Sequence, residues 1–324
     1  MGFLTEGHYR VGMRRAALVA LALTIPAVAV GATVRRVAVP GPVTALAFDG
    51  PRVAYAAGRS RYDCNRVRIW NLATSGVTAL GRPFGCIETS TGTGVAAVSV
   101  AGPRVLWVYF GGGNTREWFL FTGTEKSPKA RRLAFVARDV DEPPPIVIGP
   151  GDSGSSGAVL PYAVGRRVVA LRGDGTRSFG WTAPNRVVAL AALARRNPEL
   201  AVAQEGGSIS VLDGAGRVLR EESYAGEIDV VRLTATGVLV QRGRTLEHRD
   251  GASTWLSTLP EGARLMDVAG DIDAVYAVRT EVRARRIGGT RDVLLASGTL
   301  AAGEGRWLAT AAGRTVTARR PYVR

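Results

Sequence analysis

Histidine is almost absent from the chain: His8 and His248 are the only two among 324 residues. That scarcity weakens any reading built on a histidine general base or on Cys/His zinc coordination. Lysine is as scarce. Lys126 and Lys129 are the only lysines among 42 basic residues, so the formal charge of +15 is carried by arginine. Arginine, alanine, glycine and valine share GC-rich codons, so the basicity reads first as composition and only second as selected polyanion binding. The chain lacks a Lys/Arg cluster of the length that marks a nucleic-acid or headgroup patch, and it lacks basic residues interleaved with stacking aromatics. Specific nucleic-acid binding is therefore not expected, although net charge alone should give weak attraction to anionic polymers. Also missing are amphipathic helical periodicity beyond the N-terminus and any Pro/Gly/Ser linker long enough to divide the chain, so one domain is the economical reading.

What is present begins with Met13-Arg14-Arg15, followed by an uncharged apolar run from Ala16 to Val30 and the small residues Ala27 to Ala32. A basic segment, an apolar segment and small residues at a cleavage position make residues 1–32 a secretory signal peptide, with an uncleaved anchor as the alternative. The run is short for a membrane span, which needs about 20 apolar residues. Translation could start at Met1 or Met13. An exported protein is expected, touching membrane only if the segment stays uncleaved.

Residues 33–324 repeat one β grammar. Val43–Leu80 holds four short β-type runs separated by Asp49-Gly50-Pro51, Gly58-Arg59-Ser60 and Thr74-Ser75-Gly76. Similar units begin near Val95, Ile146, Val187, Ile228, Ala263 and Thr299, at intervals of 35 to 52 residues. Four-stranded units of about 40–45 residues are the period of a β-propeller, here seven blades, or six if the third unit is not a true blade. Insertions lengthen the early units: Arg59–Asn65, Gly111–Thr115, and two loops in the third unit, Asp139–Pro145 and Gly149–Gly157. Such a sheet cannot bury both faces alone. Radial stacking would place Leu46, Val98, Leu190 and Val231 between blades. The last unit is one strand short, and Val34–Val39 alternates like a strand, so the N-terminal strand is expected to complete the last blade on its outer side.

At Arg66-Val67-Arg68-Ile69-Trp70-Asn71-Leu72-Ala73-Thr74-Ser75-Gly76 the chain resembles a WD40 repeat, whose third strand ends in apolar-x-apolar-Trp-Asp before a turn. Asn71 stands in place of the Asp, and the Gly-His dipeptide of that family is missing from every unit. The resemblance is to WD40-like propellers at large and implies a binding platform without carrying over any functional residue.

Other motifs read as architecture. Gly151-Asp152-Ser153-Gly154 looks like a protease nucleophile loop but has no histidine to serve it, and is read as a Gly/Ser loop. Asp250-Gly251-Ala252-Ser253-Thr254-Trp255 resembles the Asp-box turn of sialidase propellers. Asp139, Asp141 and Glu142 are read as a solvated loop rather than a calcium site, and the six tryptophans as packing residues. No catalytic residue, cofactor or metal ligand is assigned.

Cys64 and Cys86, the only cysteines, are expected to pair in an oxidising compartment, because a second-to-third strand loop and the loop into the next blade lie on one face. The bridge would rigidify a candidate binding face formed by Arg59, Arg61, Tyr62 and Asp63, with Glu88 from the partner loop, joined by Gly111–Asn114 and Asp139–Glu142. The expected function is an exported, non-enzymatic, monomeric module that binds a protein or a cell-envelope polymer. The alternative is an extracytoplasmic glycan hydrolase or lyase with its site at the mouth of the central channel. A cluster of inward-facing carboxylates at one mouth is the feature that would favour the enzyme.

Overall fold

A computed structural model of the protein describes residues 33–57, 66–81, 92–251, 253–270 and 272–320. The described residues contain no helix and form seven antiparallel sheets. Blade 1 is the meander Val43–Asp49, Arg52–Ala57, Val67–Asn71 and Val77–Ala79. Inner strands of the later blades begin at Gly94, Ile146, Val187, Val230, Arg264 and Leu300, within two residues of the positions read from the repeat. Each innermost strand faces a central channel. Seven strands converging there leave little room, and the lining is correspondingly rich in alanine and glycine: Ala45, Ala47, Ala97, Ala191, Ala301 and Gly303.

Burial follows from stacking. Seven apolar clusters each join one sheet to the next. Leu46 packs with Tyr55 and Trp307 between the first and last blades, Val98 with Ile69, Leu190 with Ala163, and Val231 with Ala203. The six tryptophans are distributed over five of these seams, which explains their lack of a common register: Trp70 and Trp307, Trp107, Trp118, Trp181 and Trp255. Thr33–Ala38 pairs antiparallel with Thr315–Arg320, from Thr33 opposite Arg320 to Ala38 opposite Thr315. The chain's first strand thus becomes the outer strand of the last blade, as its alternation implied.

The third unit forms an antiparallel sheet of its own, one of seven among the described residues. Its inner position is shared by two short strands, Ile146–Ile148 and Asp152–Gly154, both paired with Gly157–Val164. The expected Gly/Ser loop at 149–157 is therefore corrected: part of it is an inner strand. Glycine permits this because the backbone passes close to blade 4. A Cβ at Gly154 would sit 1.5 Å from the Ala194 carbonyl oxygen.

Asn71 shows why this repeat departs from the Trp-Asp pattern. Its Oδ1 accepts from Ala73 N and Thr74 N and so shapes the turn, while its Nδ2 donates to Glu125 Oε1 at 3.0 Å in blade 2. Glu125 is in turn paired with Arg52 at 2.6 Å. An aspartate would keep the turn but set a carboxylate against Glu125. Asn71→Asp is therefore expected to lower stability by about 1–2 kcal/mol in chemical denaturation at neutral pH. The Asp-box turn forms in the same spirit: Asp250 Oδ1 accepts from Ser253 N and Oγ at 2.8 and 2.7 Å.

Candidate functional site

The meander gives the ring two faces. The upper face carries the second-to-third strand turns and the connections between blades; the lower face carries the first-to-second and third-to-fourth turns. All of Arg59, Arg61, Tyr62, Asp63, Cys64, Cys86 and Glu88 lie outside the described residues. The bases of their two segments are tied together on the upper face: Arg66 donates through Nη2 to Gly81 O at 2.8 Å, and Ala57 N donates to Arg66 O at 3.4 Å.

Next to this sector, blade 2 stands taller than its neighbours. Its strands Arg104–Gly112, Thr115–Thr124 and Arg131–Asp139 run nine, ten and nine residues, against six, five and three in the corresponding strands of blade 1 and eight, six and six in those of blade 3. The raised hairpin is stiffened by Phe110 against Trp118, with ring centroids 5.4 Å apart, and by the Arg116 guanidinium 5.1 Å from the Phe110 ring centre. Val140 N donates to Asn114 O at 3.2 Å, so the 139–142 loop and the 112–115 turn meet on one face, as their positions in the repeat required. Asp139 and Glu142 are exposed and locally engaged: Asp139 Oδ1 accepts from Val140 N, and Glu142 lies 3.2 Å from Arg138.

The opposite mouth holds a feature the sequence reading did not single out. The central channel, about 640 Å³, is lined at its lower end by Asp152, Asp267 and Glu304, with Asp49 beside them. Asp49, Asp152 and Glu304 each bring a carboxylate oxygen within 4.8 Å of the others. A divalent cation accepts such a set of oxygen donors. These carboxylates already have another task. Asp49, fully buried, accepts from Gly102 N in blade 2 and from Ser153 N and Oγ in blade 3. Asp152 accepts from Ala194 N in blade 4, and Asp267 from Gly303 N in blade 7. Arg232 lies 3.5 Å from Asp267 and donates to Met266 O. The acids act as staples across blade seams, where an inner strand ends and the adjacent backbone would otherwise be unpaired.

Ser153, the serine of the protease-like tetrapeptide, is thus spent on Asp49. His248 is buried in blade 5 with Nε2 3.0 Å from Thr234 Oγ1, and burial holds its pKa below the usual value. Nucleophile and base never meet.

Crowding of acids raises proton affinity. Burial first, then the charges of Asp49, Asp152 and Asp267, push Glu304 up to about 8. Burial likewise raises Asp49 and Asp267. The native state therefore keeps a proton on Glu304 that the unfolded chain releases near its ordinary value of 4.5. The stabilising contribution is complete below that value and is lost as pH rises through about 8. Melting temperature should fall between pH 5 and 9, by the equivalent of about 3 kcal/mol, and Glu304→Gln should flatten that fall. A wild-type melting curve independent of pH over this range would contradict the cluster's electrostatics.

The signal for these residues was present. Asp49-Gly50 and Glu304-Gly305 occupy the same hairpin position in the first and last repeats, Asp49 opposite Arg52 and Glu304 opposite Trp307. Superposing the repeats would have put both acids at one mouth.

No protein-family model matches the chain, and no curated protein matches it. Solved structures do share its fold. The WD40 β-propeller domain of Doa1 is 10% identical, with a TM-score of 0.54 over 87% of this chain and 93% of that one. Saccharomyces cerevisiae Sqt1 is 10% identical, with a TM-score of 0.50 over 88% and 98%. At such identities the likeness establishes the fold alone: a β-propeller.

Proposed function

We propose that the chain is an exported, non-enzymatic propeller that binds a protein or cell-envelope polymer through the upper face of blades 1 to 3. The observation that carries this reading is the raised, cross-braced hairpin of blade 2, clasped to the 139–142 loop through Val140 N and Asn114 O. Preordered loops bearing aromatic and charged groups lose little entropy on binding. The strands Arg52–Ala57 and Val67–Asn71, which flank residues 58–65 in the sequence, meet the same face from blade 1, and export rests on the apolar N-terminal run. Co-sedimentation with isolated envelope material tests it. Combined Arg61→Ala, Tyr62→Ala, Asp63→Ala and Arg116→Ala substitutions should cut binding by about tenfold or more, while Arg217→Ala on the lower face should not. Equal binding by the folded upper-face variant would overturn the reading.

One observation favours a second reading. A carboxyl group held protonated to about 8 beside other carboxylates, as Glu304 is, has the proton affinity of a general acid for glycoside cleavage. If the lower mouth is catalytic, Glu304→Gln should abolish hydrolysis of an envelope glycan by the intact protein. Absence of any turnover in the wild type across a panel of such glycans would remove this reading.

A further inference from the structure

The arginines are scattered in sequence, but the fold gathers several of them in the wedge between the outer parts of blades 2 and 3. From blade 2, Arg104 donates to Gly173 O and Asp174 O at 3.0 and 2.8 Å, and Arg131 donates to Gly175 O at 3.3 Å. Both guanidinium groups thus rest on one turn of blade 3. They are close enough for Arg131 to depress the pKa of Arg104, whose larger depressing influence is burial.

Blade 3 adds the other wall. Tyr162, Val169 and Gly180 stand in one row across three of its strands. The side chains of that row face blade 2, since Leu160, Val169 and Leu171 share a core cluster with Leu106, Val108 and Leu120. Gly180 leaves the outer end of the row open, and Arg177 folds into the gap: a Cβ there would fall 1.5 Å from Arg177 Nη2. Arg167 enters from the neighbouring row, opposite Val164. Arg131, Arg167 and Arg177 all lie within electrostatic reach of the Tyr162 hydroxyl.

Among the described residues no carboxylate pairs with Arg131, Arg167 or Arg177. Arg167 and Arg177 make no hydrogen bond or ion pair with any described residue, and Arg131 contacts only a carbonyl. The nearby Asp174 turns its Oδ1 to Thr176 N and Oγ1 at 2.8 and 2.7 Å. Three exposed guanidinium groups around a half-buried phenol, with no carboxylate among the described residues bridging them, form a fork-rich donor set that suits an oxyanion.

We propose that the wedge between blades 2 and 3 seats an oxyanion group of a polyanionic envelope polymer, held by Arg131, Arg167 and Arg177 with the Tyr162 hydroxyl as a further donor. This rests on the polymer-binding form of the proposed function, adds a lateral contact outside the upper face, and names the chemistry of the ligand. Repeating phosphodiester is the best match, because each group offers several acceptor oxygens and successive groups could occupy the arginines along the wedge.

The probe is fluorescent poly(glycerol phosphate), titrated into the full mature protein by polarisation at several salt concentrations. Arg131→Ala/Arg167→Ala/Arg177→Ala should weaken binding by about tenfold or more and make its salt dependence shallower by about two to three released counterions. A charge-matched triple on the other side of the ring, Arg35→Ala/Arg36→Ala/Arg279→Ala, should weaken it no more than about threefold. Tyr162→Phe should reduce affinity without altering the salt slope. Equal losses for the two triples would mean that only net charge is being read and would overturn the site. So would failure of the wild type to bind the probe at low salt. The wedge arginines are distinct from Arg61, Tyr62, Asp63 and Arg116, so a negative result here leaves the co-sedimentation test of the upper face standing.

Discussion

Deleting Thr33–Ala38 should lower the melting temperature of the mature domain by about 10 °C. The segment pairs along its whole length with Thr315–Arg320 and contributes Val37 to the seam between the last and first blades. Loss of one strand's ladder bonds, each worth about 0.5–1.5 kcal/mol net, together with that burial, amounts to about 5 kcal/mol. For a domain of this size each kcal/mol moves the midpoint by about 2 °C. The deletion would also bare the edge of Thr315–Arg320, so the truncated protein should associate or aggregate on warming. Thermal unfolding followed by circular dichroism, with light scattering alongside, reads both effects. An unchanged midpoint would show that the last blade does not depend on its N-terminal strand.

Asp49→Ala should be the most damaging single substitution at the channel. It strands three donors from two other blades, Gly102 N, Ser153 N and Ser153 Oγ, in a fully buried position. Unsatisfied buried donors cost about 1–3 kcal/mol each, offset by relief of repulsion among the acids. The net loss expected at pH 5, where Glu304 is protonated and repulsion is weakest, is about 3 kcal/mol. The loss should be smaller at pH 9, since removing one negative neighbour also lets Glu304 ionise more easily. Urea unfolding at the two pH values measures both. A deficit that grows with pH would contradict the assignment of Asp49 as both staple and charged neighbour.

The blades were legible because their signal is local. Strand alternation and Gly turns recur in each unit, so the inner-strand starts could be read within two residues. The missing outer strand of the last unit and the spare alternating segment at Val34–Val39 together disclosed the first-to-last pairing. The inner strand of blade 3 escaped because Gly149, Gly151 and Gly154 carry the composition of a loop. They are glycines because the backbones of Leu190, Val100 and Ala194 pass within 3 Å of where a Cβ would stand. The acid cluster and the arginine wedge escaped for another reason. Asp49, Asp152 and Glu304 are spread over more than two hundred residues of sequence, as only a closed ring could bring together. Arg131 and Arg177 likewise both come within reach of Tyr162 only because outer strands of successive blades face each other across a wedge. Only Asp49 and Glu304 share a position in the repeat; Asp152 and the wedge arginines come into view once the repeats are wound about one axis.

The central claim is that binding uses the upper face of blades 1 to 3 and not the carboxylate mouth below. Hydrogen exchange on the mature protein, free and saturated with isolated envelope polymer, tests it most directly. Slowed exchange is expected in the turn at 112–115 and in the loop at 139–145, with the amides accepted by Asp49, Asp152 and Asp267 unaltered. Protection confined to Gly102, Ser153, Ala194 and Gly303, the donors around the lower mouth, would contradict the account and move the site to the channel.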